Sequence, residues 1–343
     1  MKRVGAIFNF GQSGLLIIII ALGALLTLKA GHHVDRLTGH DVNNFLNVGT
    51  LIQVATDTSF FAIMAVGMTT VIVSGGIDLS IGSIFALCEV MTALMLRAMP
   101  HAGALQQVLT GIGLCCGIGL LCGLLNGLMV STLQVHPFII TLGTMWVYRG
   151  IAFVATKAES ILVPDSLTAV AKANLGLRSD LYPLPMLVMI VVAILGYLYL
   201  QKTTLGRRVF AVGGNIQAAR YAGLKIGHIL TGVYVLSGLT AGIAAFVGSS
   251  FYGSASSGDA NGYELYVIAG AVVGGASLIG GKGSAIGALF GALLIVMIRQ
   301  AIRNLGLDQN YEWIIIGVAI VVAVVLDRFN STLAQKRLVR AKG

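Results

Sequence analysis

With 343 residues, 57% of them hydrophobic and only 10% charged, the chain is too apolar for a soluble globular domain. Its mean hydropathy of +0.91, with 45 glycines and few aromatics, points instead to closely packed membrane helices. The net charge of +9 argues against a nucleic-acid binder, because the basic residues gather at the N-terminus, in a central loop and in the tail, as membrane topology demands.

Lys2 and Arg3 precede the apolar run Ser13–Leu28, which ends at Lys29 without a small-x-small cleavage pattern. It is therefore predicted as a first spanning helix rather than a signal peptide, with its positive N-terminus inside. His32–Asn47 is predicted as an external loop, and its three histidines (His32, His33, His40) lack the companion ligands of a metal site. Thr58–Ile77, between Asp57 and Asp78, has spanning length. It runs into Gly75-Gly76-Ile77-Asp78-Leu79-Ser80, where glycine loosens the backbone and Asp78 or Ser80 can cap a third helix reaching Leu96.

The fourth helix, Leu105–Leu133, carries Gly119, Gly123 and Gly127 at intervals that line one face, a helix-packing pattern. After the turn Val135-His136-Pro137 comes the fifth, Phe138–Thr156, then an external segment, Lys157–Pro183, and a sixth helix, Leu184–Leu200. Residues 201–227 carry Lys202, Arg207, Arg208, Arg220 and Lys225 and no acid, so this loop belongs in the cytoplasm. Within it, Val212-Gly213-Gly214 reads as a flexible break, Asn215 as a cap, and Ile216–Ala222 as a short helix stopped by Gly223.

Four further helices are predicted: His228–Phe251, Leu265–Ile279, Ala285–Ala301 and Trp313–Leu326, followed by a basic tail over 328–343. The expectation is an all-α polytopic membrane protein of about ten spans, a single transmembrane domain over 1–343 with both termini cytoplasmic. Gly75-Gly76-Ile77-Asp78-Leu79 echoes Gly274-Gly275-Ala276-Ser277-Leu278, which suggests two related halves joined by the basic loop.

No nucleophile–base–acid set stands out. Gly281-Lys282 lacks the Gly-x4-Gly-Lys-Ser/Thr spacing of a phosphate loop, so nucleotide binding is assigned to no part of the chain. Cys88, Cys115, Cys116 and Cys122 lie in apolar runs without the spacing of a metal site. Ionisable residues in apolar runs are the sharper signal, since a membrane-embedded charge faces a partner or a water-filled path. Glu89 and Arg149 sit at nearly matched depth, either as an ion pair or along a solute pathway; Asp78 is a helix cap or a solute ligand. Arg299 and Arg303 lie near the outer end of the ninth helix, to snorkel or to meet an acidic protein.

Taken together and in order, several stretches resemble the permease subunits of ribose-type ATP-binding-cassette sugar importers. They are Ala65–Thr69 with Gly75–Ser83, Gly123–Gly127, His136–Thr144 with Tyr148-Arg149-Gly150, Thr204–Arg208 through Gly213–Asn215 to Ala222-Gly223, Gly262–Leu265, and Gly274–Ser284. The resemblance implies a non-catalytic, cofactor-free pore-forming subunit in a bacterial inner membrane. It implies partners too: a second permease subunit, cytoplasmic ATPase subunits and a periplasmic sugar-binding protein. It marks Arg207, Arg208, Gly213, Gly214, Asn215, Ala218, Ala219, Arg220 and Gly223 as the segment that couples to the ATPase. Asp78, Ser80, Glu89, Asn126, Thr141, Thr144, Arg149 and Glu264 become candidates for the substrate pathway. Glu89 departs from the family, which has a small or apolar residue there. The competing readings are an ion-coupled secondary transporter, which would need Glu89 and Asp78 as coupling groups, a membrane enzyme, and a permease for branched-chain amino acids or a signalling furanone.

Overall fold

The computed structural model describes residues 10–34, 39–177, 181–319, 321, 322 and 325. Helix α1 (Phe10–Lys29) leads to an antiparallel strand pair, β1 (His32–Val34) and β2 (Asp41–Asn43). Asn47 then caps α2 (Val48–Val73), its side chain accepting from the Thr50 N–H. This helix begins well before the expected Thr58, because Asp57 is tolerated inside it. The carboxylate accepts from Gln53 one turn back (2.8 Å) and lies 3.5 Å from the Arg303 guanidinium.

Helix α3 (Ile81–Arg97), α4 (Ala104–Leu133) and α5 (Pro137–Thr156) follow, the last opening with proline at its first position. The segment between α5 and the next long helix contains β3 (Ile161–Leu162) and a short α6 (Asp165–Ala171). Helix α7 (Leu184–Lys202) descends to two short helices, α8 (Thr204–Gly214) and α9 (Ile216–Tyr221). Helix α10 (Ile226–Tyr252) returns, and β4 (Ser254–Ala255) pairs antiparallel with β3. Helix α11 (Tyr263–Val273) and α12 (Ala285–Asn304) complete the set, and residues 311–319 are again helical.

Among the described residues, six helices are long and apolar enough to cross a membrane: α2, α4, α5, α7, α10 and α12. The ten expected spans are therefore not all single full-length helices. Helix α3 has 17 residues and α11 only 11, the latter about 16 Å at 1.5 Å per residue against an apolar layer of about 30 Å. The expected eighth span, Leu265–Ile279, is not one helix. It stops at Val273 and continues without regular structure to Ala285. Most of the expected tenth span beyond 319, the basic tail, and Lys2 and Arg3 fall outside the described residues.

The molecule is arranged around α2. Of its most apolar 18-residue window, 94% of the residues are buried, against 28%, 22% and 28% for α4, α5 and α7. Those peripheral helices present Leu121, Trp146, Val154 and Leu195 outward, as lipid-facing helices do. Helices α4 and α10 approach at backbone distance along the predicted glycine stripe. A methyl on Gly123 would meet the Tyr234 carbonyl oxygen at 2.3 Å. Without a hydrophobic drive between helices in lipid, such close backbone packing supplies the association energy.

Candidate functional site

Two core helices, α2 and α11, stop short of the helices that follow them, and each stop is written in glycine. At the end of α2, Gly75 takes φ +89°, and at the end of α11, Gly275 takes φ +98°, a conformation that side-chain-bearing residues rarely adopt. The closing bonds are the same at both ends. Gly75 and Gly76 donate to the Ile72 and Val71 carbonyls, and Gly275 and Ala276 donate to those of Val272 and Ala271. The backbone thus pairs Gly75 with Gly275, one register away from the echo read in the sequence.

A buried unwound segment needs partners for its peptide groups. Side chains of α5 and α10, with Asp78 itself, supply them for residues 77–80. The Thr141 hydroxyl of α5 clamps the strand, accepting from the Leu79 N–H (3.1 Å) and reaching the Ile77 carbonyl (3.2 Å). Tyr234 of α10 donates to the same carbonyl at 3.4 Å. Asp78 Oδ1 accepts from the Ser80 N–H (3.0 Å) and hydroxyl (2.6 Å), and its Oδ2 accepts from Ser237 of α10 (2.8 Å). Asn126 of α4 donates to Ser80 Oγ (2.7 Å) and accepts from Tyr148 (3.2 Å).

Asp78, Ser80, Asn126 and Thr141, four of the pathway candidates, therefore form one network, and all are fully buried. Asp78 bonds the residue that precedes the first turn of α3, and Ser80, the N-cap itself, makes no side-chain capping bond. Thr144 bonds back to the Thr141 carbonyl (3.3 Å) on the same helix face.

The other three candidates belong to a second cluster. Arg149 of α5 reaches the loop before α11, donating to the Ser257 (2.8 Å), Asp259 (2.6 Å) and Ala260 (3.3 Å) carbonyls. Of the two readings for Glu89 and Arg149, the ion pair does not form. Among the described residues the ion pairs are Arg299–Glu312 (2.8 Å) and Arg303–Asp57 (3.5 Å). The guanidinium is held by carbonyl oxygens instead, with Glu264, Glu89 and Asp259 near it. Glu89 lies beside Asp259 and keeps one buried oxygen, Oε1, without a hydrogen-bond partner. Glu264 faces Gly82 in the first turn of α3, where a methyl would come within 2.7 Å of its Oε2. Arg299, expected to point outward, lies over the rings of Phe61 and Tyr266 (5.4 and 5.5 Å) and against Glu312.

The basic loop is built from two capped helices. Thr203 accepts from the Gly206 N–H at the start of α8, and Asn215 accepts from the Ala218 N–H (2.9 Å) at the start of α9. The glycine stop is present as well, since Gly223 takes φ +78° and donates to the Arg220 carbonyl. Gly213-Gly214, read as a flexible break, instead closes the last turn of α8. Its apolar Val209 and Val212 are buried and hold it against the membrane helices.

Gly213 is the joint. An added methyl would sit 1.7 Å from the Val73 carbonyl and 2.8 Å from the Gly281 nitrogen. Gly281 itself donates to the Val73 carbonyl (2.8 Å). The end of α8, the end of α2 and the turn before α12 thus meet at one point. Arg207, Arg208, Gly214, Asn215, Ala218, Arg220 and Gly223 are exposed on this loop, Gly213 is half-buried and Ala219 is buried. A cavity of about 590 Å³ lies beside the joint, lined by Ser74, Gly75, Gly76, His136 and Arg220 and by none of the eight pathway candidates.

Ser237 and Tyr234 were not singled out in the sequence. Their signal is present: Thr231, Tyr234, Ser237 and Thr240 recur every third residue and wind a polar stripe around an otherwise apolar helix, from the α4 side to the α2 side. No group of three or more His, Cys, Asp or Glu suited to a metal occurs among the described residues.

Residues 50–324 match the model of a family described as branched-chain amino acid transport system / permease component. The chain is 35% identical over 285 residues to the ribose import permease protein of Escherichia coli (strain K12), spanning 83% of this chain and 87% of the relative. It is 33% identical over 292 residues to the D-allose transport system permease protein of the same strain, 84% and 86% of the two chains. It is also 33% identical over 315 residues to the autoinducer 2 import system permease protein of Yersinia enterocolitica, 89% and 90% of the two chains.

Proposed function

The chain belongs to the branched-chain amino acid transport system / permease component family, and from that premise we propose that it is the membrane-embedded permease of an ATP-driven sugar importer. The observation that carries the mechanism is the Gly213 joint, where the basic loop touches both the end of α2 and the turn before α12. In this reading a cytoplasmic ATPase docks on the exposed face of α8 and α9. Its nucleotide-driven closure displaces the loop, and the joint passes that displacement to the two interrupted helix pairs. The energy comes from the partner, which shifts the equilibrium because it engages the inward-open and outward-open forms differently. Two such subunits flank the pathway, ten passes place the loop and both termini in the cytoplasm, and a periplasmic binding protein delivers the solute.

The solute class rests on the ribose and allose permeases at 35% and 33% identity. The autoinducer 2 permease, matched over 89% of this chain, supports a second reading in which the solute is a small signalling furanone. The test is uptake of labelled ribose by vesicles holding the chain with its ATPase and binding protein. ATP-dependent uptake is expected. Uptake driven by an ion gradient with no ATPase present would overturn the importer reading, and uptake of autoinducer 2 alone would select the furanone.

A further inference from the structure

Helices α7 and α10 part along one seam, and two cavities lie in it end to end. The one at the level of the basic loop measures about 570 Å³ and is lined by Arg208, Lys225 and His228 together with Tyr199, Ile229 and Gly232. The one deeper in the membrane measures about 220 Å³, lies on the wall of α2, and is lined by Val192, Leu195, Gly196, Leu236, Leu239 and Ile243. Tyr199 borders both. The lining residues follow helical spacing, 192–195–199 on α7 and 229–232–236–239–243 on α10, so a single face of each helix continues from one cavity to the other.

The charge pattern matches a single kind of occupant. No carboxylate lies in residues 201–227, and neither Arg208 nor Lys225 has an ion-pair partner among the described residues. No side chain caps the start of α10, whose first-turn N–H groups and dipole favour an anion at the same level. Beyond that level the seam is apolar except for Thr70, Thr240 and the Tyr199 hydroxyl. A basic mouth at the inner membrane boundary above an apolar slot fits an anionic headgroup with its acyl chain. We propose that the α7/α10 seam is a binding site for an anionic phospholipid of the inner leaflet, its phosphate held by Arg208, Lys225 and His228 and one acyl chain lying along the slot. Arg220 opens on the separate cavity beside Gly75, so the loop divides its basic groups between two faces.

The test is native mass spectrometry of the full chain released from micelles holding equal amounts of phosphatidylglycerol and phosphatidylcholine. Retention of phosphatidylglycerol over phosphatidylcholine by about thirtyfold is expected from two cations near the headgroup. The combined Arg208→Gln, Lys225→Gln, His228→Gln variant should retain the two lipids equally. Gly232→Leu should lose both, and it is compatible with the fold because a side-chain carbon there meets nothing within 4 Å. An unselective parent chain, or a neutralised variant that still prefers phosphatidylglycerol, would overturn the site. Displacement of the lipid by soluble glycerol phosphate would reduce it to a phosphate site without a chain slot. Release on adding the ATPase would hand the basic mouth to that protein. The readout is lipid retention, so it stands or falls independently of the transported solute.

Discussion

Arg149 shows how a charge is accommodated at membrane depth without an opposite charge bonded to it. Its planar fork reaches three carbonyl oxygens of one loop, a task for which a lysine's single ammonium is unsuited. Arg149→Ala would leave those carbonyls unsatisfied, each at a cost of about 1–3 kcal/mol, and destabilise the protein by about 3 kcal/mol or more. Arg149→Lys should recover only part of that loss. Glu89→Gln should cost less than about 1 kcal/mol, since one of its oxygens has no partner to lose. Unfolding of detergent-solubilised variants checks both, and a double-mutant cycle should show coupling below about 0.5 kcal/mol, as for residues that do not pair. The sequence placed both residues at matching depth, yet depth along a helix says nothing about where a long side chain turns. The carbonyls that hold Arg149 lie more than a hundred positions later in the chain, and no local pattern announces them.

At the scale of elements, the two interruptions were unequally readable. The one after α2 was legible, because Gly75-Gly76 is followed by a charged residue that ends the apolar run. The one after α11 was not, since Leu265–Ile279 stays uncharged throughout and hydropathy does not register a positive φ at Gly275. In the basic loop the Asn215 cap and Gly223 stop were readable, whereas α8 was missed because its two terminal glycines read as a break rather than as the last turn of a helix anchored by Val209 and Val212. These two glycines should behave oppositely. Gly213→Ala drives a methyl into the Val73 carbonyl, so it should lower thermal stability and sever ATP hydrolysis from uptake. Gly214→Ala meets nothing within 4 Å and should fold as the parent does, gaining up to about 1 kcal/mol from helix propensity. A bulky residue at Gly214, on the exposed side, should disturb only the docked ATPase. Melting curves and ATPase-to-uptake ratios separate the three.

At the scale of the whole molecule, the charge bias predicts one orientation, with the loop between α7 and α10 facing the cytoplasm. A cysteine introduced at Gln217, exposed on α9, should react with a membrane-impermeant thiol reagent only from the cytoplasmic face. Labelling from the periplasm would invert the topology. Among the native cysteines Cys88, Cys115 and Cys122 are buried, and the half-buried Cys116 of α4 sets the background against which Gln217 labelling is read.

The enclosure of α2 also bears on how the chain is made. Its main neighbours are α7, α8, α10, α11 and α12, and every one of them is synthesised later. Until α10 is made, the face of α2 around Gly67, which packs on Ser237 and Thr240, has no protein to cover it. A nascent chain arrested before residue 226 should therefore expose a helix suited to protein neighbours rather than to lipid, and be the form that membrane quality-control proteases recognise first.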